Sequence, residues 1–81
     1  MTHNWIINWF LNNTEISNED LLNKLDENYF ELGWIDSLKF IIFITDIEKH
    51  FKIKFSNSEF QNRHFSTING LVKIIEGYTD V

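Results

Sequence analysis

Ser37 is the residue whose surroundings most clearly point to chemistry. It lies in the stretch ELGWIDSLKF, residues 31–40, between Asp36 and Leu38 and shortly after Gly33. In the first turn of a helix, beside a carboxylate and outside the core, a hydroxyl is held towards solvent on a fixed backbone. Such a hydroxyl is suited to covalent modification. It is less suited to catalysis, because serine is a weak nucleophile until a base lies within hydrogen-bond reach.

The three histidines are the only candidate bases for Ser37. His3 lies near the start of the chain, His50 near the end of the helix predicted after Ser37, and His64 in the last connection, so none pairs with Ser37 by spacing. No Gly-x-Ser-x-Gly elbow surrounds the serine, and the histidines lack the spacing of metal ligands on one helix face. The sequence therefore predicts no catalytic residue and no metal site. A small serine hydrolase stays an alternative that still needs a base.

Composition limits the class of protein. The chain has 81 residues, 43% of them hydrophobic, which suits one domain over residues 1–81. It has no cysteine and a formal net charge of -5, which disfavours a nucleic-acid partner because such binding draws on clustered Lys and Arg. The longest apolar run, residues 40–44, is far shorter than the roughly 20 residues that span a bilayer, and no leader opens the chain. We therefore expect a soluble, cytoplasmic protein without membrane insertion.

The apolar spacing predicts helices. Thr2 is expected to cap a first helix that ends near Asn13, and residues 14–35 to form a long, partly ordered loop with a short helical turn. Asp36 is a good N-cap for a helix over residues 37–51, since a short carboxylate accepts from free backbone N–H groups.

The rest of the chain predicts two further helices. A short one is expected within residues 56–63, and a longer one capped by Ser66 or Thr67, whose end Gly77 marks. A strand over residues 51–55 is open, although it has no partner. The predicted fold is all-α: a small antiparallel four-helix bundle with three longer helices, one short helix and a long first loop.

The helix over residues 37–51 has two apolar sides. One side carries the core stripe Phe40, Phe43, Ile44, Ile47 and Phe51. The opposite side carries Leu38, Ile41 and Ile42, and Thr45 extends it. Either the helix is buried nearly all round, or it presents an apolar patch beside Ser37 to a partner. We favour the patch, because full burial is difficult in so small a bundle.

The wider sequence around Ser37 resembles the acyl carrier protein family, whose members bear phosphopantetheine. The stretches that carry the resemblance are GWIDSL, then KFIIFITDIEKHFKIKF, and later FSTINGLVKII. It is strongest over residues 30–75, and its marks are Gly33, the DSL triplet at residues 36–38 and the Thr67-Ile68 pair that opens the last helix. The DSL triplet alone is weak, but in this setting and in a chain of this size it is specific.

The resemblance implies a function for the exposed serine. Ser37 would carry 4'-phosphopantetheine, attached through a phosphodiester by a separate phosphopantetheinyl transferase that uses coenzyme A. The thiol of that arm would bear an acyl or aminoacyl group as a thioester, so that the prosthetic group brings the sulfur that this cysteine-free chain lacks. Asp36 matches the acid of the family motif and would help the transferase by orienting a metal or the incoming phosphates, besides capping the helix. The chain itself would be no enzyme.

Two departures indicate a specialised stand-alone or aminoacyl carrier rather than the housekeeping fatty-acid carrier. Trp34 and Ile35 separate Gly33 from Asp36, where fatty-acid carriers usually have one residue. In addition, fatty-acid carriers have a strongly acidic exposed side on the helix that follows the attachment serine. In this chain, only Asp46 and Glu48 remain acidic on that side of the helix over residues 37–51, and lysine and isoleucine side chains occupy much of it.

We therefore expect a dedicated partner that reads apolar contacts beside Ser37. The resemblance implies acyl- or aminoacyl-loading and -accepting enzymes of a biosynthetic pathway as partners, and we expect the carrier to be a monomer. The alternative is a helical adaptor that binds partners through the same fold without a prosthetic group. The predicted partner surface consists of Trp34, Leu38, Lys39, Ile41, Ile42 and Thr45.

Overall fold

A computed structural model describes residues 2–79 of the chain, and within them it is all-helical. The elements are α1 (Thr2–Asn13), α2 (Asn18–Asn23), α3 (Ser37–Phe51), α4 (Asn57–Phe60) and α5 (Ile68–Thr79), with a 3-10 turn at Arg63–Ser66 before α5. The predicted all-α bundle is confirmed: α1, α3 and α5 are its longer helices, α4 is the short one, and α2 is the helical turn expected in the first loop.

Side-chain caps fix where the helices begin. The Asp36 carboxylate accepts from the Lys39 backbone N–H at 2.8 Å, and the Ser17 hydroxyl accepts from Asp20 N–H at 3.2 Å. The Thr67 hydroxyl accepts from Gly70 N–H at 3.0 Å, so Thr67 and not Ser66 caps α5. Each cap satisfies a donor that the helix geometry leaves free, and these local signals explain why the starts could be predicted.

Three boundary predictions differ from the structure. Thr2 is already the first residue of α1. The strand left open at residues 51–55 is wrong, because α3 continues to Phe51, Lys52 takes a left-handed conformation with φ of 57°, and no strand exists within residues 2–79 for the following segment to pair with. The last helix does not end at Gly77 but continues to Thr79, since Gly77 does not adopt the positive φ of a helix-ending glycine.

The core is aromatic and lies between α1, α3 and the later helices. The Trp9 and Phe10 rings of α1 pack on Phe43 of α3 with centroids 4.4 and 5.1 Å apart. Phe43, Ile44 and Ile47 are buried as the predicted core stripe requires, whereas Phe40 and Phe51 at its ends are half-buried.

The long first loop is held against the bundle by hydrogen bonds. The Tyr29 side chain is fully buried, and its hydroxyl donates to the Phe65 carbonyl in the 3-10 turn. Backbone bonds add Tyr29 N–H to Ser66 carbonyl and Asn69 N–H to Leu25 carbonyl, each at 3.0 Å. Gly33 then turns the chain with φ of +75°, the conformation that glycine tolerates best. The loop thereby delivers residues 34–36 to the start of α3.

Candidate functional site

Ser37 is the first residue of α3, and it is exposed. Within residues 2–79 its hydroxyl has no hydrogen-bond partner. Asp36, also exposed, occupies the cap: its carboxylate binds Lys39 N–H and its carbonyl binds Phe40 N–H at 2.8 Å. The N–H groups of Ser37 and Leu38 therefore stay free at the positive end of the helix, an arrangement that favours an anion attached to the serine oxygen.

The histidines are not placed to activate Ser37. His50 lies thirteen residues further along α3, roughly 20 Å away at 1.5 Å rise per residue, and its ring stacks on Trp5 with centroids 4.8 Å apart. His64 belongs to the 3-10 turn and His3 to α1. In the described part of the chain no histidine bonds to Ser37, and no group of histidines and acids could hold a metal ion. The geometry gives no support to a hydrolase.

A groove of about 1050 Å³ opens beside Ser37. The end of α1, the first loop and the start of α3 form its walls, and its lining mixes amide, carboxylate and apolar side chains. Trp34 lies in this wall, half-buried, with its ring 6.1 Å from that of Phe10. Lys39 also lines it, and its ammonium donates to the Asn13 carbonyl at 2.6 Å.

The apolar patch predicted on α3 is exposed. Leu38, Ile41 and Ile42 leave 70%, 62% and 46% of their surface accessible, and we call these three residues the α3 apolar face. Thr45 is exposed beside it and donates its hydroxyl to the Ile41 carbonyl at 2.8 Å. Of the two explanations offered by the sequence, burial all round is wrong. Use of the face by a partner stays a prediction.

Two predicted surface acids turn out to have structural bonds. Asp46 accepts from the Trp9 indole N–H at 2.9 Å, and Glu48 accepts from the Phe55 backbone N–H at 2.9 Å. Sequence reasoning assigned both to the exposed side of α3. No signal in the sequence pairs Asp46 with Trp9, because the two residues lie on different helices, 37 residues apart. Both carboxylates are half-buried and held by these bonds, so neither is a freely mobile surface acid.

Comparisons with known proteins point to one family. Residues 4–75 match the model of the phosphopantetheine attachment site. The chain is 37% identical to the D-alanyl carrier protein of Streptococcus mutans over 67 residues, which cover 83% of this chain and 81% of that protein. It is 38% identical to the D-alanyl carrier protein of Streptococcus equi subsp. zooepidemicus over 72% of this chain and 73% of that protein. For that of Leuconostoc citreum the identity is 31%, over 75% and 78%. No solved structure matches the chain.

The chain belongs to the phosphopantetheine attachment site family. The resemblance to acyl carriers, on the side of specialised and aminoacyl members, is confirmed. The protein is accordingly a carrier and not an enzyme: it bears acyl or aminoacyl groups as thioesters on a covalent 4'-phosphopantetheine arm and presents them to the enzymes that modify, load and unload it. The adaptor alternative is not favoured by this membership. No helix among residues 2–79 is long and apolar enough to cross a bilayer.

The residues at the start of α3 fit such an arm. An exposed hydroxyl without a competing bond can form the phosphodiester, and free N–H groups of the helix end lie next to where its negative charge would be. The groove that Ser37 lines offers both polar and apolar walls to a chain that contains amide and methyl groups. When attached, the arm supplies the thiol that forms the thioester.

Proposed function

We propose that Ser37 is the attachment residue and that the cargo is a small aminoacyl group, D-alanyl in particular. The observation that supports the attachment is the single exposed hydroxyl at the capped start of α3, inside the stretch matched by the family. In the transfer, the Ser37 oxygen bonds to the phosphorus that bears pantetheine, and the bond from that phosphorus to the adenosine bisphosphate of coenzyme A breaks. The hydroxyl proton goes to a base of the transferase.

Asp36 serves this reaction by position. Its carboxylate is exposed and fixed by the cap bond to Lys39 N–H, so it can help to orient a metal ion or the phosphates that the transferase brings. Because the cap also fixes the first turn of α3, the serine next to it is presented on a rigid backbone.

The proposal of a small cargo has two supports. The relatives named above are D-alanyl carrier proteins. In addition, aromatic rings fill the space between α3 and the 3-10 turn. The centroid of the Phe40 ring lies 6.0 Å from that of the Phe65 ring and 5.0 Å from that of the Phe30 ring. A long acyl chain would have to displace these rings to enter the bundle, whereas a D-alanyl group stays outside on the arm.

The partners follow from this cargo. We expect a phosphopantetheinyl transferase, an enzyme that loads the activated amino acid and an enzyme that accepts it, each docking next to Ser37. The α3 apolar face, together with Trp34, Lys39 and Thr45, is the proposed docking surface. Residues 1–81 would act as a single carrier domain and as a monomer in the cytoplasm.

Mass spectrometry tests the attachment. Purified protein treated with coenzyme A and a promiscuous phosphopantetheinyl transferase should gain the mass of one arm. Ser37→Ala should gain none, and Ser58→Ala, which removes another exposed hydroxyl near the start of a helix, should react like the parent. Absence of any gain, or a gain that persists in Ser37→Ala, would refute the proposed site.

A further inference from the structure

Lys39 connects two elements across the groove beside Ser37. It lies in the first turn of α3, yet its ammonium reaches the carbonyl of Asn13, the last residue of α1, at 2.6 Å. The side chain is half-buried. Lys49, near the other end of α3, is exposed and makes no such contact within residues 2–79. Of the two lysines of α3, Lys39 is therefore anchored to another helix within the described residues, whereas Lys49 is not.

Among the described residues that line the groove, Lys39 is the only cation. Glu15 and Asp36 also line it, and both carry carboxylates. A phosphodiester on Ser37 adds one more negative charge. The Lys39 ammonium offsets these negative charges, since Lys39 and Ser37 line the same groove.

The walls of the groove match the chemistry of the rest of the arm. Trp34 and Ile16 offer apolar surface to its geminal methyl groups. The exposed Asn12 amide, which lines the groove and has no side-chain partner within residues 2–79, can pair with the amides of the arm. The groove and the α3 apolar face share the start of α3, but none of Leu38, Ile41 and Ile42 lines the groove.

We propose that the phosphopantetheine arm rests in this groove and that Lys39 is its positioning residue. The inference depends on the proposed attachment at Ser37. On modification, the Lys39 ammonium exchanges the Asn13 carbonyl for the phosphodiester oxygens, and the methyl groups of the arm lie against Trp34. The resting arm thus covers Trp34 and Lys39 of the proposed docking surface but leaves the α3 apolar face clear for an enzyme, which then draws the arm out.

NMR of the holo protein tests the inference directly. Holo protein with an isotope-labelled pantetheine arm should show nuclear Overhauser effects between the geminal methyl groups and the Trp34 indole, assigned with Trp34→Phe. Lys39→Gln should lose most of these effects, whereas Lys39→Arg, which keeps the charge, and Lys49→Gln, the matched control, should retain them. Spectra of the amide groups would establish that each variant is folded.

The outcomes separate the two proposals. Failure of the protein to gain the arm in the mass measurement concerns the attachment site and is seen before any NMR experiment. If the parent takes the arm but its methyl groups show no contact with Trp34 and relax like those of free pantetheine, the resting place is wrong. If Lys39→Gln keeps the contacts at parental strength, the positioning role of Lys39 is wrong.

Discussion

Asp36 combines a structural and a functional position in one side chain. Its carboxylate caps α3 through the Lys39 N–H, and it is the acid next to the proposed attachment serine. The cap is local and exposed, so its contribution to folding can be measured without disturbing the core.

Replacing Asp36 by Ala should lower the free energy of unfolding by about 1 kcal/mol, because the Lys39 N–H loses its acceptor. Urea unfolding followed by circular dichroism measures this. Asp36→Asn should retain most of the stability, since the amide oxygen can still accept, but it should slow transfer of phosphopantetheine if the negative charge orients a metal or phosphates. Equal stability of Asp36→Ala and parent would argue against the cap.

Tyr29 is one of the residues that hold the long loop against the later part of the bundle, and its side chain is fully buried there. Tyr29→Phe should lower the free energy of unfolding by about 1–2 kcal/mol, because the Phe65 carbonyl loses its donor in a buried place. Thermal or urea unfolding measures the difference. An unchanged stability would mean that the bond adds nothing to the packing of the ring.

The buried Tyr29 hydroxyl should also make the stability of the fold depend on pH. Burial raises the pKa of the Tyr29 hydroxyl well above its usual range. The stabilisation that depends on the neutral hydroxyl is therefore fully present below pH about 10 and is lost as the pH rises above that value. The free energy of unfolding should fall more steeply with rising pH in the parent than in Tyr29→Phe. Identical profiles of stability against pH between pH 9 and 12 would contradict this role for Tyr29.

At the scale of the elements, replacing either of two glycines of α5 by alanine should change the stability of the protein, but in opposite directions. A Cβ at Gly70 would clash with the His64 carbonyl oxygen, so the 3-10 turn would have to shift. We expect Gly70→Ala to cost about 1–3 kcal/mol, as overpacking does. At Gly77 a Cβ would meet nothing within 4 Å. Gly77→Ala should therefore stabilise the helix by up to about 1 kcal/mol.

Denaturant unfolding of both glycine variants under one set of conditions tests this pair. Because each change adds the same methyl group to the same helix, their difference reports the contact with the 3-10 turn. Loss of stability in Gly77→Ala, or none in Gly70→Ala, would show that α5 and the turn do not pack as described.

The α3 apolar face makes a prediction about partners. Ile41 is 62% exposed, so Ile41→Ser should change the free energy of unfolding by no more than about 0.5 kcal/mol. If enzymes dock on this face, kcat/KM for phosphopantetheine transfer should fall about fivefold or more. Leu22→Ser, at a similarly apolar and exposed position of α2, is the control and should leave kcat/KM unchanged. Equal kcat/KM for Ile41→Ser and parent would place docking elsewhere.

At the scale of the whole molecule, the parts that the sequence predicts are those with local signals. Asp36 and Ser17 lie three residues before the N–H groups that they cap, and the apolar spacing of residues 37–51 places Phe43, Ile44 and Ile47 together on one side of the helix. The exposure of Ser37 follows from the same spacing. These features need no knowledge of which helix lies beside which.

The parts that the sequence could not predict join residues far apart in the chain. The Lys39–Asn13, Trp9–Asp46 and Tyr29–Phe65 bonds span 26, 37 and 36 residues. Each bond depends on how two elements lie relative to each other. The spacing of residues along the chain carries no information on this. For this reason Lys39 appeared only as a charge on the partner surface, and Asp46 as an exposed acid.

The central claim is that Ser37 holds the arm and that the arm carries a small aminoacyl group. Tandem mass spectrometry of the protein isolated from its own cells, with the thioester intact, tests both parts. Trypsin should release residues 25–39, in which Ser37 is the one serine and no threonine is present. We predict that this peptide carries one phosphopantetheine with a D-alanyl-sized addition on its thiol. An unmodified peptide, an arm on another residue or a long acyl chain on the thiol would contradict the claim.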